Sequence, residues 1–192
     1  MANTREIKKR IKSAGNIGKI TKAMEMVSAA KMRRAQQKAL NSKAYAQTLS
    51  LILSQISSAV TIADLDLPIL RTQPLSGKDL VVVIATDKGL CGALNSNLFR
   101  SVNNFIHQNL KPNQTEIIAV GKKASHFALV HNYQLTASFH GFHDVPTSDE
   151  SLAIARLIIQ NFIDKVYDRI YIAYSSFINT LTQVPPSNKF CL

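Results

Sequence analysis

The amino-acid sequence predicts an α/β fold class, with a long N-terminal helix of the coiled-coil type followed by a small, open, mostly parallel α/β domain. Three observations predict it. No Gly or Pro lies between Gly18 and Pro68, and strong helix formers fill that stretch. Apolar residues recur there at helical spacing. Beyond residue 78 the pattern changes to short β-branched runs alternating with helical segments, as in parallel α/β sheets.

The N-terminal element comes first. Asn3 or Thr4 caps its start, and Glu6 faces the positive end of the helix dipole. Ile7, Ile11, Ala14, Ile17, Ile20, Met24 and Val27 form a narrow apolar stripe, and Leu49, Ile52, Ile56 and Val60 repeat it. Gly15 and Gly18 weaken the helix locally but let another backbone come close. Asp64, Asp66 and Pro68 end it. The expected organisation is therefore a long basic helix over 1–62, a linker over 63–78 and an α/β domain over 79–192.

From residue 4 to 60 the helix would be roughly 80 Å long. A globule of ~130 residues, with a radius of gyration of ~14 Å, does not cover such a rod. The other helical patterns (Asn95–Asn109, Lys122–His131 and Ser148–Asp164) are all far shorter. The stripe's partner is expected outside these residues, on another chain or on a missing part of this one.

In the α/β domain, Asp79–Ala85 reads as a strand buried on both faces. Thr86–Ala93 is a glycine-bearing turn before the helix Asn95–Asn109. Glu116–Val120 and Tyr133–Ser138 are strands on either side of the helix Lys122–His131. Ser148 caps the next helix, with Asp149 and Glu150 in its first turn. Arg169–Tyr174 is the fourth strand, which Phe177–Val184 extends or reverses. The alternation is Rossmann-like.

Composition narrows the function. The chain has 192 residues, 46% hydrophobic and 18% charged, which excludes collagen-like, low-complexity and disordered classes. Cys91 and Cys191 are too few for a disulfide framework, so a reducing compartment is expected. No apolar run approaches the roughly 20 residues of a membrane span, and the first ten residues lack the apolar stretch of a secretory signal.

No catalytic, cofactor or metal site emerges. The turn 86–93 matches neither GxGxxG nor GxxxxGK[ST], so Gly89 and Gly92 are expected to supply positive φ and tight strand–helix packing. His140 and His143 have no third ligand, and Ser175 and Ser176 lack a nucleophile-elbow context. Cys91 reads as a packing residue. The net charge of +11 is concentrated in residues 1–43, with twelve basic and two acidic residues. Nucleic-acid binding, membrane-surface binding and pairing with an acidic protein surface compete for such a helix. Residues 1–43 hold no aromatic for base stacking, however, and the stripe lacks the Trp and Phe of a membrane-surface helix.

Lys19–Met32 (KITKAMEMVSAAKM), Ala85–Asn95 (ATDKGLCGALN) and Phe177–Pro185 (FINTLTQVP) resemble, in order, segments of the gamma subunit of F-type ATP synthase. The resemblance implies a non-catalytic rotor shaft that couples proton-driven rotation to ATP synthesis. The N-terminal helix would be half of an antiparallel coiled coil, with the α/β domain as its foot. Implied partners are the alpha and beta ring subunits, the epsilon subunit and the membrane c-ring, without nucleic acid or direct bilayer insertion. The implied place is peripheral, on the cytoplasmic face of the inner (cell) membrane. Lys22, Met24, Glu25 and Lys31 fall where the family's shaft passes the ring, and Asp87, Lys88 and Cys91 fall near the ring's base. No cofactor is implied, since nucleotides belong to the ring subunits. The family continues with a long C-terminal helix, so a chain ending at Asn188–Leu192 is expected to be truncated, its helix frayed or self-associated.

Overall fold

The computed structural model describes residues 4–59, 77–142 and 147–185. Asn3, the Ile56 side chain, Val60, linker residues 63–76, His143, Cys191 and the segment 188–192 lie outside the described residues. The chain divides into two compact units, 1–59 and 60–192.

The first unit is a single helix, α1 (Thr4–Ala59), of 56 residues. Local pairs support it. Arg10 donates to Glu6 at 2.6 Å, and Lys22 donates to Glu25 at 2.9 Å. The Thr21 hydroxyl donates back to the carbonyls of Ile17 and Gly18. A Cβ at Gly15 or Gly18 would meet nothing within 4 Å. A lone helix has no second layer, and the whole stripe from Ile7 to Val27 is exposed.

The second unit holds β1 (Asp79–Ile84), α2 (Leu94–Asn109), a 3-10 turn (Pro112–Gln114), β2 (Thr115–Val120), α3 (Lys122–Val130), β3 (Gln134–Phe139), α4 (Ser148–Ile163), β4 (Arg169–Tyr174), β5 (Ser176–Phe177) and β6 (Gln183–Val184). Four strands form a parallel sheet in the order β3-β2-β1-β4. Strand alternation sends Val81 and Val83 to one face, where Leu98, Val102 and Ile106 of α2 and Ala124, Phe127 and Ala128 of α3 join the core. Leu80 and Val82 point to the other face, with Ile158 of α4. Phe99 stacks on Phe127 at 4.6 Å between ring centroids, tying α2 to α3.

Two expectations need correction. The N-cap of α4 is Thr147, not Ser148: Thr147 Oγ1 accepts from Glu150 N, and Glu150 Oε2 accepts from Thr147 N. This capping box needs Glu three residues after the cap, which selects Thr147. Positive φ in the first turn falls on Leu90 and Gly92, not Gly89. Tight packing is also elsewhere, because a Cβ at Gly92 would meet nothing within 4 Å. The crowded position is Gly121, at φ 98°, where a Cβ would overlap the Ala85 carbonyl. For residues 177–184, reversal holds over extension: β5 and β6 form an antiparallel pair, separate from the main sheet.

The foot of the sheet carries a buried carboxylate. Glu116, 6% exposed, accepts from Lys78 Nζ at 2.9 Å and from Thr136 Oγ1 and Tyr167 OH at 2.7 Å each. Burial pushes its carboxyl up, but these donors outweigh burial and leave it below the ordinary 4.5. Burial, reinforced by the Glu116 charge, pushes the Tyr167 phenol up to about 12.

Two outcomes follow for stability. Gly121→Ala should cost about 3 kcal/mol in a urea titration, from the strained φ and the Ala85 overlap. A cost near zero would contradict that geometry. Glu116 contributes stability that is present above pH 4.5 and lost as pH falls through its lowered folded value. Between pH 10 and about 12 the unfolded Tyr167 ionises while the folded one stays neutral, so stability falls as pH rises. Glu116→Gln should flatten the acid limb and Tyr167→Phe should reduce the alkaline one, as read from urea midpoints across pH.

Candidate functional site

Two regions hold the residues expected to make contacts, one on each unit. On α1, Lys22 and Glu25 are spent on each other, with side chains 62% and 65% exposed. Met24 is exposed on the stripe, and Lys31 is exposed further along. Leu51, Ile52 and Leu53 are consecutive and exposed, so the apolar surface there spreads over several sides of the helix. The two acidic residues, Glu6 and Glu25, are each paired within the helix, while Arg33 and Arg34 add to the positive charge.

On the α/β unit, the turn after β1 is tied down from several directions. The Ala85 N–H donates to the Val120 carbonyl at 2.8 Å. Asn95 Nδ2 reaches Thr86 Oγ1 at 2.7 Å and Cys91 Sγ at 3.3 Å. Thr86 in turn donates its hydroxyl to the Lys88 carbonyl. Cys91 is a half-buried thiol in this network, consistent with a packing role.

Asp87 faces inward. One carboxylate oxygen accepts from Lys122 N at 2.8 Å and the other from Gly141 N at 2.9 Å. These two backbone donors, Lys122 first, hold the carboxyl below its ordinary 3.8 against a smaller penalty from burial. Asp87 thus joins the turn to the first residue of α3 and to the segment after β3. It positions the turn, and its charge is engaged at the helix N-terminus.

The outward surface belongs to other residues. Leu90 is fully exposed with φ 62°. Lys88, Lys122 and Lys123 are exposed around it, and the Lys123 chain passes 3.8 Å from where a Gly89 Cβ would be. Leu90, Lys122 and Lys123 escaped the sequence reading. The Lys-Lys pair was visible, but its approach to the turn depends on Lys123 N donating to the Thr86 carbonyl, a contact across the sheet. An exposed leucine in left-handed backbone has no signature in sequence.

Among the described residues, no group of three or more His, Cys, Asp or Glu side chains could hold a metal ion. His140 is exposed, Ser175 is half-buried and Ser176 lies in β5. No described helix is long and apolar enough to cross a membrane.

Comparison with known proteins completes the picture. The model of the family described as ATP synthase matches residues 3–191. The ATP synthase gamma chain of Herpetosiphon aurantiacus is 38% identical over 196 residues, covering 99% of this chain and 66% of its own length. That of a Synechococcus species is 36% identical over 186 residues, covering 96% of this chain and 58% of its own. The chain therefore spans about three-fifths of the length of these relatives. A solved structure of the central stalk and c-ring of the Tetrahymena thermophila mitochondrial ATP synthase superposes with a TM-score of 0.63 at 26% identity, covering 87% of this chain and 70% of the other. With its family model matched almost from end to end and gamma chains as its relatives, this chain belongs to the ATP synthase family.

Proposed function

We propose that this chain is the central rotor shaft subunit of an F-type ATP synthase. In that role it couples proton-driven rotation of the membrane ring to conformational cycling of the catalytic subunits. One observation carries the reading: a 56-residue helix exposes an apolar stripe beside charge of almost one sign, in a chain whose relatives are gamma chains. A stripe of this kind needs a second helix, and the antiparallel coiled coil of the family supplies one. The chain itself performs no catalysis in this reading, and nucleotides bind to the alpha and beta ring subunits. The epsilon subunit and the c-ring hold the foot, so attachment to the cytoplasmic face of the membrane is peripheral. Nothing in the comparisons favours the nucleic-acid-binding alternative.

The contacts with the ring are of two kinds. On α1, Lys22, Met24, Glu25 and Lys31 pass the ring subunits. On the α/β unit, Lys88 meets acidic groups at the ring's base together with Lys122 and Lys123, around the projecting Leu90. Asp87 and Cys91 serve this surface from behind by holding the turn. Exposed ion pairs contribute ~0–1 kcal/mol each, weak enough to be broken and remade at each step of rotation.

Four measurements test the reading. The chain should co-purify with the alpha and beta subunits of its ATP synthase, and failure to do so under conditions that recover the ring would refute it. In the assembled enzyme, Met24→Lys places a charge on the stripe and should lower ATP made per proton moved; an unchanged ratio would count against the shaft contact. Lys88→Glu/Lys122→Glu/Lys123→Glu should weaken binding to the ring by about tenfold at low salt, the sum of three weak pairs, and much less at high salt. Asp87→Ala removes the turn's anchor and should cost the chain about 1–2 kcal/mol in urea unfolding, as the loss of a helix cap does.

A further inference from the structure

Five charged side chains at the foot of the sheet take no part in the proposed ring contacts. Asp79, 4% exposed, receives both arms of the Arg169 guanidinium at 2.8 Å each. These two residues are direct partners in the β1/β4 ladder. Arg169 also lies over the Tyr171 ring, 5.9 Å from its centroid. One residue earlier, Lys78 reaches Glu116 of β2 at 2.9 Å, and Glu116 in turn accepts from Thr136 of β3. Asp168 accepts from Gly77 N at 2.6 Å and donates its own N–H to the Lys78 carbonyl at 2.8 Å. The belt touches all four strands at or near their N-terminal ends.

In both pairs the carboxylate is buried while the cation is half-exposed, the Arg169 and Lys78 side chains being 53% and 49% exposed. Losing the cation alone strands a buried charge, whereas replacing both partners by apolar residues is often neutral or better. Specificity is the stronger explanation here. β1 reads Asp-Leu-Val-Val-Val-Ile, and residues 80–83 are buried on both faces. A two-residue slide of β1 in one direction keeps each side chain on its face and puts Val82, Val83, Ile84 and Ala85 where Leu80, Val81, Val82 and Val83 sit. The opposite slide would bury Lys78 and Asp79. Packing excludes the second slide but discriminates poorly against the first. The charges discriminate well: the same slide moves Asp79 by about 6.6 Å relative to Arg169, which breaks both bonds.

We propose that Asp79–Arg169, backed by Lys78–Glu116 and by the Asp168–Gly77 contact, is a register lock. It holds β1 against β4 and β2 when the chain is pulled at residue 77. β1 and β4 are parallel, so force applied to the N-terminal end of β1 and the C-terminal end of β4 shears the very pair that the guanidinium fork bridges. The lock itself follows from the sheet, and only the source of the load rests on the rotor reading.

The test pulls the full 192-residue chain by its two ends in an optical trap and measures its urea midpoint in parallel. Asp79→Leu/Arg169→Met replaces the pair with apolar residues. The expected result is a midpoint equal to or above that of the parent together with a lower rupture force for the sheet. A rupture force equal to the parent's overturns the lock. A midpoint and force that fall together also overturn it, because the pair is then an ordinary contributor to stability. Arg169→Lys keeps the charge but loses the fork, and it decides the matter if the double variant does not fold. A lower force at an unchanged midpoint supports the lock, while an unchanged force or a joint fall refutes it. The pull needs no partner, so failure to assemble with the ring and failure of the lock are read separately.

Discussion

The exposed apolar side of α1 is the constraint from which the rest of the molecule follows. Burying its seven stripe residues is worth on the order of 10 kcal/mol. The side-chain pairs within the helix, Glu6–Arg10 and Lys22–Glu25, contribute only about 0.5 kcal/mol each and cannot substitute for it. In the proposed shaft, a second helix supplies the cover that this helix lacks by itself. The same geometry leaves its flanks in solvent, where charge of almost one sign suits weak and repeated encounters with acidic protein. In the proposed role, stripe and flank divide the work between permanent and transient contacts.

The α/β unit makes a comparable division between the two ends of its sheet. Strands buried on both faces have nowhere but their ends to place polar groups. At the C-terminal end of β1 the polar groups shape a turn, with Asp87 inward and Leu90 outward. At the N-terminal end they pair across strands as Asp79 with Arg169 and Glu116 with Lys78. Gly121 stands where β2 passes into α3 and lets that backbone approach the β1 turn closely. A side chain there would separate the two halves of the site.

Much of this was legible in sequence, for local reasons. The cap near Thr4, the apolar stripe and the Gly- and Pro-free stretch after Gly18 marked out α1, and the apolar runs marked all four strands of the main sheet to within a residue or so. What escaped was decided by residues far apart in the chain. Glu116 looks like the polar start of a strand until Lys78, Thr136 and Tyr167 converge on it from three other segments. Ser148 was read as the cap of α4, and the reach of Glu150 back to Thr147 selects the residue before it. In the turn, Asp87 and Lys88 were marked together as contacts, but the backbone sends the carboxylate inward and leaves the lysine outside. The sequence named the neighbourhood, and the fold assigned the roles.

The placement of the tyrosines has an optical consequence. The chain contains no tryptophan, so its intrinsic fluorescence comes from five tyrosines. Tyr133, Tyr167 and Tyr171 are buried in the α/β unit and Tyr174 ends β4, while Tyr45 alone sits on α1. Near-ultraviolet signals therefore follow the melting of the sheet and are almost blind to the rod. Circular dichroism at helical wavelengths instead reports α1, with 56 residues, together with the shorter helices α2, α3 and α4, of 16, 9 and 16 residues. Helical signal lost without a tyrosine change therefore belongs to α1.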